Sequence, residues 1–140
     1  MATVNPYLNF DGKCEEAFNF YKEAFGGEFV ILSRFKDVPE GMPTHDNDGN
    51  LIMHVSLPLG NGFVLMGSDR PSSMGAGIVG DNVNISINTE SEEEATKIFN
   101  ALSTGGKVTM PLQKTFWAAL FAMFTDQYGV HWMVNYDEPK

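Results

Sequence analysis

The sequence predicts an α+β fold made of two tandem copies of one β-α-β-β-β unit. Apolar residues recur at helical spacing over about residues 14–25 and again over 95–102, and a Gly-Gly pair follows each stripe. The short runs Glu15-Glu16-Ala17 and Glu93-Glu94-Ala95 repeat at nearly the same offset as the two Gly-Gly pairs. Extended, partly alternating segments come after each pair, which is typical of strands.

In the first unit, residues 3–10 form the predicted opening strand, and Asp11-Gly12 turns it into a helix. The helix is expected from about Cys14 to Phe25, because its apolar residues fall on one stripe. Gly26-Gly27 stops the helix in the manner of a C-cap. Further strands are predicted at 28–35, 51–58 and 62–68.

The second unit follows the same order. Val83, Ile85 and Ile87 alternate with polar residues, which indicates a half-buried strand. Thr89 or Ser91 is expected to cap the next helix, with Glu92 or Glu94 completing a capping box. Later strands are predicted from Lys107 and at 115–125 and 130–136. The modules are placed at about 3–69 and 80–136 of a single domain, 1–140, with 69–80 as linker. The long irregular stretch 37–50 either covers a site or is a surface connection.

Composition narrows the class of protein. The 140 residues are 43% apolar and carry a net charge of −9, so the chain is expected to fold and not to bind nucleic acid. We expect no membrane span and no secretory signal, because no long apolar run or basic N-terminal region is present. The single Cys14 cannot form an internal disulfide, which favours a cytoplasmic location. Its place in the apolar stripe favours packing over reactivity.

One motif is expected to be coincidental. Residues 75–80 spell G-x-G-x-x-G, the dinucleotide-binding fingerprint, which requires a strand before it and a helix after it. Here Pro71-Ser72-Ser73 precedes the glycines and an alternating strand is predicted to follow. The sequence therefore predicts no nucleotide site at this position.

Two of the three histidines are candidates for a site. His54 is expected on the same strand face as Ile52 and Ser56, opposite Val55 and Leu57. His131 is expected opposite Trp132 and Val134, so both histidines would lie on the sheet faces that helices leave open. Either histidine could be a metal ligand, a general base or an ordinary hydrogen-bonded surface residue. His45 lies in the long loop and is expected to be solvated.

The ends of the chain resemble a known family. The segment Asn5 to Ala17, then Phe20-Tyr21 and Phe25-Gly26-Gly27, is similar to the start of PhnB-like proteins. The run Gln113 to Trp117, Thr125 to Val130 and Trp132 to Asn135 resembles their C-terminal signature. These proteins belong to the glyoxalase, bleomycin-resistance and extradiol-dioxygenase superfamily, also called vicinal oxygen chelate. The resemblance covers nearly the whole chain.

The resemblance implies paired β-α-β-β-β modules whose curved mixed sheets enclose a cleft, commonly within a dimer. Glyoxalase-type members place four metal ligands, His, Gln or Glu, on the first and last strands of each module. Carried over by pattern, those positions fall near Asn5, Met66, Asn82 and Met133. None of these is an imidazole or a carboxylate, and such a set holds a divalent oxygen-activating metal poorly. We therefore expect no metal and no cofactor. The methyltransferase label attached to some members is discounted, because the chain offers no glycine-rich strand-to-helix turn for a methyl donor.

The favoured hypothesis is a small-molecule-binding protein that takes a neutral or weakly charged organic ligand. A metal-dependent glyoxalase- or dioxygenase-like enzyme with His54 or His131 as unorthodox ligands is a second hypothesis, and a structural or interaction module is a third. A homodimer is expected because 25 of the 140 residues are Phe, Trp, Tyr or Met, and a large exposed apolar surface is usually covered by a partner. The residues expected to line the cleft are Asn5, Tyr7, Asn9, His54, Ser56, Met66, Asn82, Asn84, Ser86, His131, Met133 and Asn135.

Overall fold

The computed structural model describes residues 2–37, 48–60 and 62–139. The chain divides into two compact units, Met1–Ile78 and Val79–Lys140. Each unit holds one α-helix and one four-stranded sheet within the described residues. The predicted α+β class and the tandem β-α-β-β-β order are confirmed.

The first unit contains β1 (Tyr7–Phe10), α1 (Cys14–Phe25), β2 (Ile31–Arg34), β3 (Ile52–Gly60) and β4 (Phe63–Asp69). Its sheet has the strand order β1-β4-β3-β2. β1 runs parallel to β4, and the other neighbours are antiparallel. The opening strand is therefore shorter than the predicted 3–10.

Helix α1 packs on one face of this sheet through its apolar stripe. Ala17, Phe18 and Tyr21 are fully buried, and Phe18 and Tyr21 make an edge-to-face contact with ring centroids 5.4 Å apart. A Cβ at Gly67 of β4 would lie 2.7 Å from Phe18 Cε2, so only glycine lets the ring approach the strand this closely. The helix ends at Phe25 and is followed by the C-cap residue Gly26, whose φ of 81° lies in the region that favours glycine.

A buried carboxylate joins three segments of the first unit. Asp69, at the end of β4, is 2% exposed. Its Oδ1 accepts hydrogen bonds from the backbone N–H groups of Gly12 (2.9 Å) and Cys14 (3.0 Å), and its Oδ2 accepts one from Ile52 (2.9 Å). The turn before α1, the start of β3 and the end of β4 are thereby fixed to one side chain.

The second unit contains β5 (Ile85–Thr89), α2 (Glu92–Ser103), β6 (Lys107–Gln113), β7 (Leu120–Thr125) and β8 (His131–Tyr136). The strand order is β5-β8-β7-β6, with β5 parallel to β8. This repeats the topology of the first sheet, strand for strand.

Helix α2 begins with the predicted side-chain cap. Ser91 Oγ accepts a hydrogen bond from the backbone N–H of Glu94, and Glu94 Oε1 accepts one from the N–H of Glu90. The helix packs on β7 through the edge-to-face pair of Phe99 and Phe124. Trp132 of β8 is fully buried on the same face.

Two predictions need correction or restriction. Strict alternation placed Ile52 on the His54 face of β3, but Ile52 is fully buried with Val55 and Leu57. The register between β2 and β3 shifts between Ser33 and Arg34, because Arg34 pairs with Ile52 whereas Ser33 pairs with His54.

His45 and most of the predicted 37–50 loop lie outside the described residues. No helix in the described chain is long and apolar enough to cross a membrane.

Replacing Asp69 by Asn should lower the free energy of unfolding by about 2–4 kcal/mol. Both oxygens of the carboxylate accept backbone hydrogen bonds, whereas the NH2 group of an amide cannot accept, so at least one buried N–H group would lose its partner. Urea denaturation measures the change. Asp81→Asn, the same exchange at an exposed aspartate, is the matched control and should have little effect. Equal stability of the two variants would contradict the role given to Asp69.

The Cys14 thiol should be inert in the folded protein. It is fully buried, and burial raises its pKa far above the usual range, with smaller contributions from the charges of Asp69 and Glu15. Because the thiolate is the reactive form, raising the pH to about 9 should leave native Cys14 unreacted with a disulfide reagent. Labelling should occur at once in denaturing urea. A cysteine placed at exposed Ser73 in a Cys14→Ala background serves as the reactive control, and fast labelling of native Cys14 would contradict the expectation.

Candidate functional site

Each sheet has one face that packs on its own helix and one face that does not, which we call the helix-free face. In the first unit, Val55, Leu57 and Leu65 are fully buried on the helix side. In the second unit, Trp132 and Val134 occupy the equivalent position. Since side chains alternate along a strand, His54 and His131 lie on the helix-free faces, as the sequence predicted.

The helix-free face of the first sheet carries five of the predicted site residues. Tyr7 pairs with Met66, Met66 with Ser56, and Ser56 with Ile31, which makes one row across all four strands. His54 and Asn9 lie in the neighbouring row, where they pair with Ser33 and Ser68. Neither row contains a Lys, Arg, Asp or Glu. This face therefore offers hydroxyls, an amide, a thioether and one imidazole.

Tyr7 and His54 form a specific pair on this face. The Tyr7 hydroxyl lies 3.1 Å from His54 Nδ1, and the two rings are stacked with centroids 5.6 Å apart and planes 24° from parallel. Tyr7 is 43% exposed and His54 is half-buried. The pair joins β1 to β3 across β4, so it depends on the parallel insertion of β4 between them.

The helix-free face of the second sheet is dominated by methionine. Met110, Met123 and Met133 occupy paired positions on β6, β7 and β8, and Ser86 of β5 completes the row. We call Met110, Met123 and Met133 the methionine row. The sequence identified Met133 and Ser86 but missed Met110 and Met123, since their alignment depends on strand register. All three methionines are half-buried, and thioethers there supply polarizable contact area.

A polar and an aromatic group flank the methionine row. Asn135 pairs with Phe121, and the Phe121 ring contacts Trp117 at 5.3 Å between centroids. Phe121 and Trp117 were not predicted as site residues, although Trp117 belongs to the C-terminal signature. Two aromatic rings, Phe121 and Trp117, therefore lie beside the neutral amide of Asn135.

His131 is bonded at both ring nitrogens. Its Nε2 lies 2.8 Å from the carbonyl oxygen of Gly80, and its Nδ1 lies 2.8 Å from the hydroxyl of Thr125. A carbonyl oxygen can only accept, so Nε2 carries the hydrogen and the neutral ring accepts from Thr125 at Nδ1. The imidazole thus links the backbone at Gly80 to the first residue of β8 and to Thr125 at the end of β7.

Three predicted site residues lie outside the strands. Asn5 precedes β1, and its Oδ1 accepts a hydrogen bond from the backbone N–H of Val64 at 3.2 Å. Asn82 and Asn84 precede β5 and are exposed. The register places Tyr7 opposite Met66 and Ser86 opposite Met133, rather than Asn5 and Asn82.

The donor set does not fit a divalent metal. Met66 and Met133 contribute thioethers, and their strand partners Tyr7 and Ser86 contribute neutral hydroxyls. Among residues 2–37, 48–60 and 62–139, no three His, Cys, Asp or Glu side chains are grouped so as to hold an ion.

The glycine-rich run 75–80 lacks the context of a nucleotide site. A short 3-10 helix, Ser72–Met74, precedes it, and the next element is strand β5. The N–H of Gly77 donates to the Asp11 carboxylate at 3.0 Å, and the Arg70 guanidinium donates to the carbonyls of Met74 and Gly75. The backbone of this segment is therefore hydrogen-bonded to side chains of the same chain.

Comparison with known proteins identifies the family. The profile of the Glyoxalase/Bleomycin resistance protein/Dioxygenase superfamily matches residues 3–134. The crystal structure of protein PA1353 from Pseudomonas aeruginosa is similar over 99% of this chain and 100% of its own, with 42% identity and a TM-score of 0.88. A Bacillus cereus PhnB protein, whose name also includes 3-demethylubiquinone-9 3-methyltransferase, is 28% identical over 96% of this chain and 99% of its own, with a TM-score of 0.76.

A curated relative agrees with these structures. Protein YjdN of Escherichia coli (strain K12) is 28% identical over 94% of this chain and 93% of its own. The PhnB-like character expected from the terminal signatures is confirmed by these matches. The chain belongs to the Glyoxalase/Bleomycin resistance protein/Dioxygenase superfamily.

Proposed function

We propose that this PhnB-like protein binds a small, neutral or weakly charged organic molecule on its helix-free faces, without a metal ion. The observation that carries the proposal is the chemistry of those faces. Two paired rows of the first face combine Tyr7, His54 and Met66 with small hydroxyl side chains and contain no Lys, Arg, Asp or Glu. The second face centres on the methionine row. Such surfaces suit a ligand with an apolar body and a few hydrogen-bonding atoms.

The absence of a metal in the proposed function rests on donor chemistry. A divalent ion taken out of water needs anionic or imidazole ligands to offset its desolvation. Carried over by the pattern of the resemblance, two of the ligand positions of glyoxalase-type relatives fall near Met66 and Met133, and both side chains are uncharged. Recruiting His131 instead would break its bonds to Gly80 and Thr125.

We further propose that the protein is a homodimer. Large apolar side chains are exposed in each unit, among them Phe63 at 60% in the first and Phe116 at 97% in the second. Exposed apolar surface of this kind is commonly covered by a partner, and a twofold dimer is the commonest arrangement. Sedimentation showing only a 15.5 kDa species at micromolar concentration would contradict this proposal.

A thermal-shift screen against neutral aromatic and heterocyclic metabolites should find compounds that raise Tm by about 5 °C or more at a large excess over Kd. Met66→Lys should abolish the shift, because it places a charge on the first helix-free face. Met74→Lys is the matched control, since Met74 is 60% exposed and lies outside the sheet. A panel in which no compound stabilises the protein would count against ligand binding.

Protein purified without a His-tag should contain zinc, nickel, iron and manganese well below one ion per chain, as measured by elemental analysis. Added nickel or zinc should produce no glyoxalase turnover above background, because the neutral donor set cannot retain the ion. Near-stoichiometric metal that is lost in His54→Ala or His131→Ala would instead support the enzyme hypothesis.

A further inference from the structure

The two histidines of the helix-free faces differ in what their rings can still bind. Both nitrogens of His131 are engaged within its own unit. His54 is bonded at Nδ1 to the Tyr7 hydroxyl, and within the described chain its Nε2 has no hydrogen-bond partner. Only His54 therefore keeps a ring nitrogen available to a ligand.

The contact with Tyr7 selects the proton position on His54. A phenol is a better hydrogen-bond donor than acceptor, whereas the unprotonated imidazole nitrogen is a good acceptor. Tyr7 therefore donates to Nδ1, and the neutral ring carries its hydrogen on Nε2. The stacked arrangement, with ring planes 24° apart, holds the imidazole in this orientation.

The surroundings of His54 define what Nε2–H can recognise. The paired positions in its row and the next supply Ser33, Ser56, Asn9 and Met66, none of which is charged. The nearby Arg34 is not available, because its guanidinium is bonded to the Glu15 carboxylate of α1. These two rows contain no cationic side chain that would attract an anionic ligand. Met66, beside the Tyr7 ring, offers apolar contact.

We propose that His54 Nε2–H is the polar anchor of the ligand site and donates a hydrogen bond to a neutral carbonyl oxygen carried on a flat apolar group. Tyr7 is the positioning residue that maintains the donor tautomer. This inference rests on the proposed ligand-binding function and names the class of ligand, a conjugated ketone or amide. Acid ligands are disfavoured on this face.

Matched probes isolate the single hydrogen bond. Acetophenone and α-methylstyrene have nearly the same shape, but only acetophenone has an acceptor oxygen, and benzoate adds a charge. NMR titration of the full chain gives the ratio of the acetophenone affinity to the α-methylstyrene affinity. His54→Leu should lower this ratio about fivefold to tenfold, the amount expected for one hydrogen bond, and His54→Gln, which retains an N–H donor, should restore part of it. Benzoate should bind more weakly than acetophenone.

The proton position gives a test that needs no ligand. Long-range ¹H–¹⁵N spectra of the free protein at neutral pH should show His54 protonated at Nε2 and unprotonated at Nδ1. Tyr7→Phe should introduce the other tautomer at His54, while His131 in the same sample should stay protonated at Nε2. A hydrogen on His54 Nδ1 in the free wild-type protein would overturn the proposal whatever the protein binds.

The two levels of failure are distinct. Binding of both neutral probes with a ratio that His54→Leu leaves unchanged would overturn the anchor and leave ligand binding intact. Failure of the wild-type protein to bind either neutral probe would contradict the carbonyl class named here. Failure of the wider metabolite panel as well would contradict the proposed function itself.

Discussion

The buried carboxylate of Asp69 is the interaction on which the first unit depends. It accepts backbone hydrogen bonds from the start of α1, from the turn before it and from the first residue of β3. By fixing the end of β4 between these segments, it sets the register in which β4 lies beside β1 and β3. That register brings Tyr7 and His54 into contact across β4. The candidate site on one face of the sheet is thus positioned by a side chain buried at its end.

Local sequence signals predicted most of the fold. The stripe through Ala17, Phe18 and Tyr21, the glycine at the end of α1 and the Ser91 cap of α2 each act within a few residues, so their effects can be read from the sequence. The repeat itself predicted the β-α-β-β-β succession of elements along the chain in each unit. Ile52 was placed on the wrong face because a shift in strand register breaks simple alternation, and such irregularities are set by the partner strand.

The candidate site was less accessible to sequence reasoning, because its contents depend on pairing between distant strands. Alternation placed His54 and His131 on the correct faces, but their different hydrogen-bond partners come from residues 47 and 51 positions away. The methionine row likewise exists only because β6, β7 and β8 align three separate residues. Asn5 and Asn82 were selected by family pattern, and the strands begin after them.

The methionine row has a chemical consequence for the environment in which the protein works. Thioethers oxidise to sulfoxides, which are polar and chiral, and reductases can reverse the change. Met110, Met123 and Met133 are half-buried neighbours, so oxidants that reach one reach a continuous strip of the second sheet. Peroxide exposure would convert that strip from an oily surface to a strongly hydrogen-bond-accepting one while the fully buried Cys14 stayed reduced. Oxidants would therefore modify the methionine row at the surface before they modified the buried Cys14 thiol.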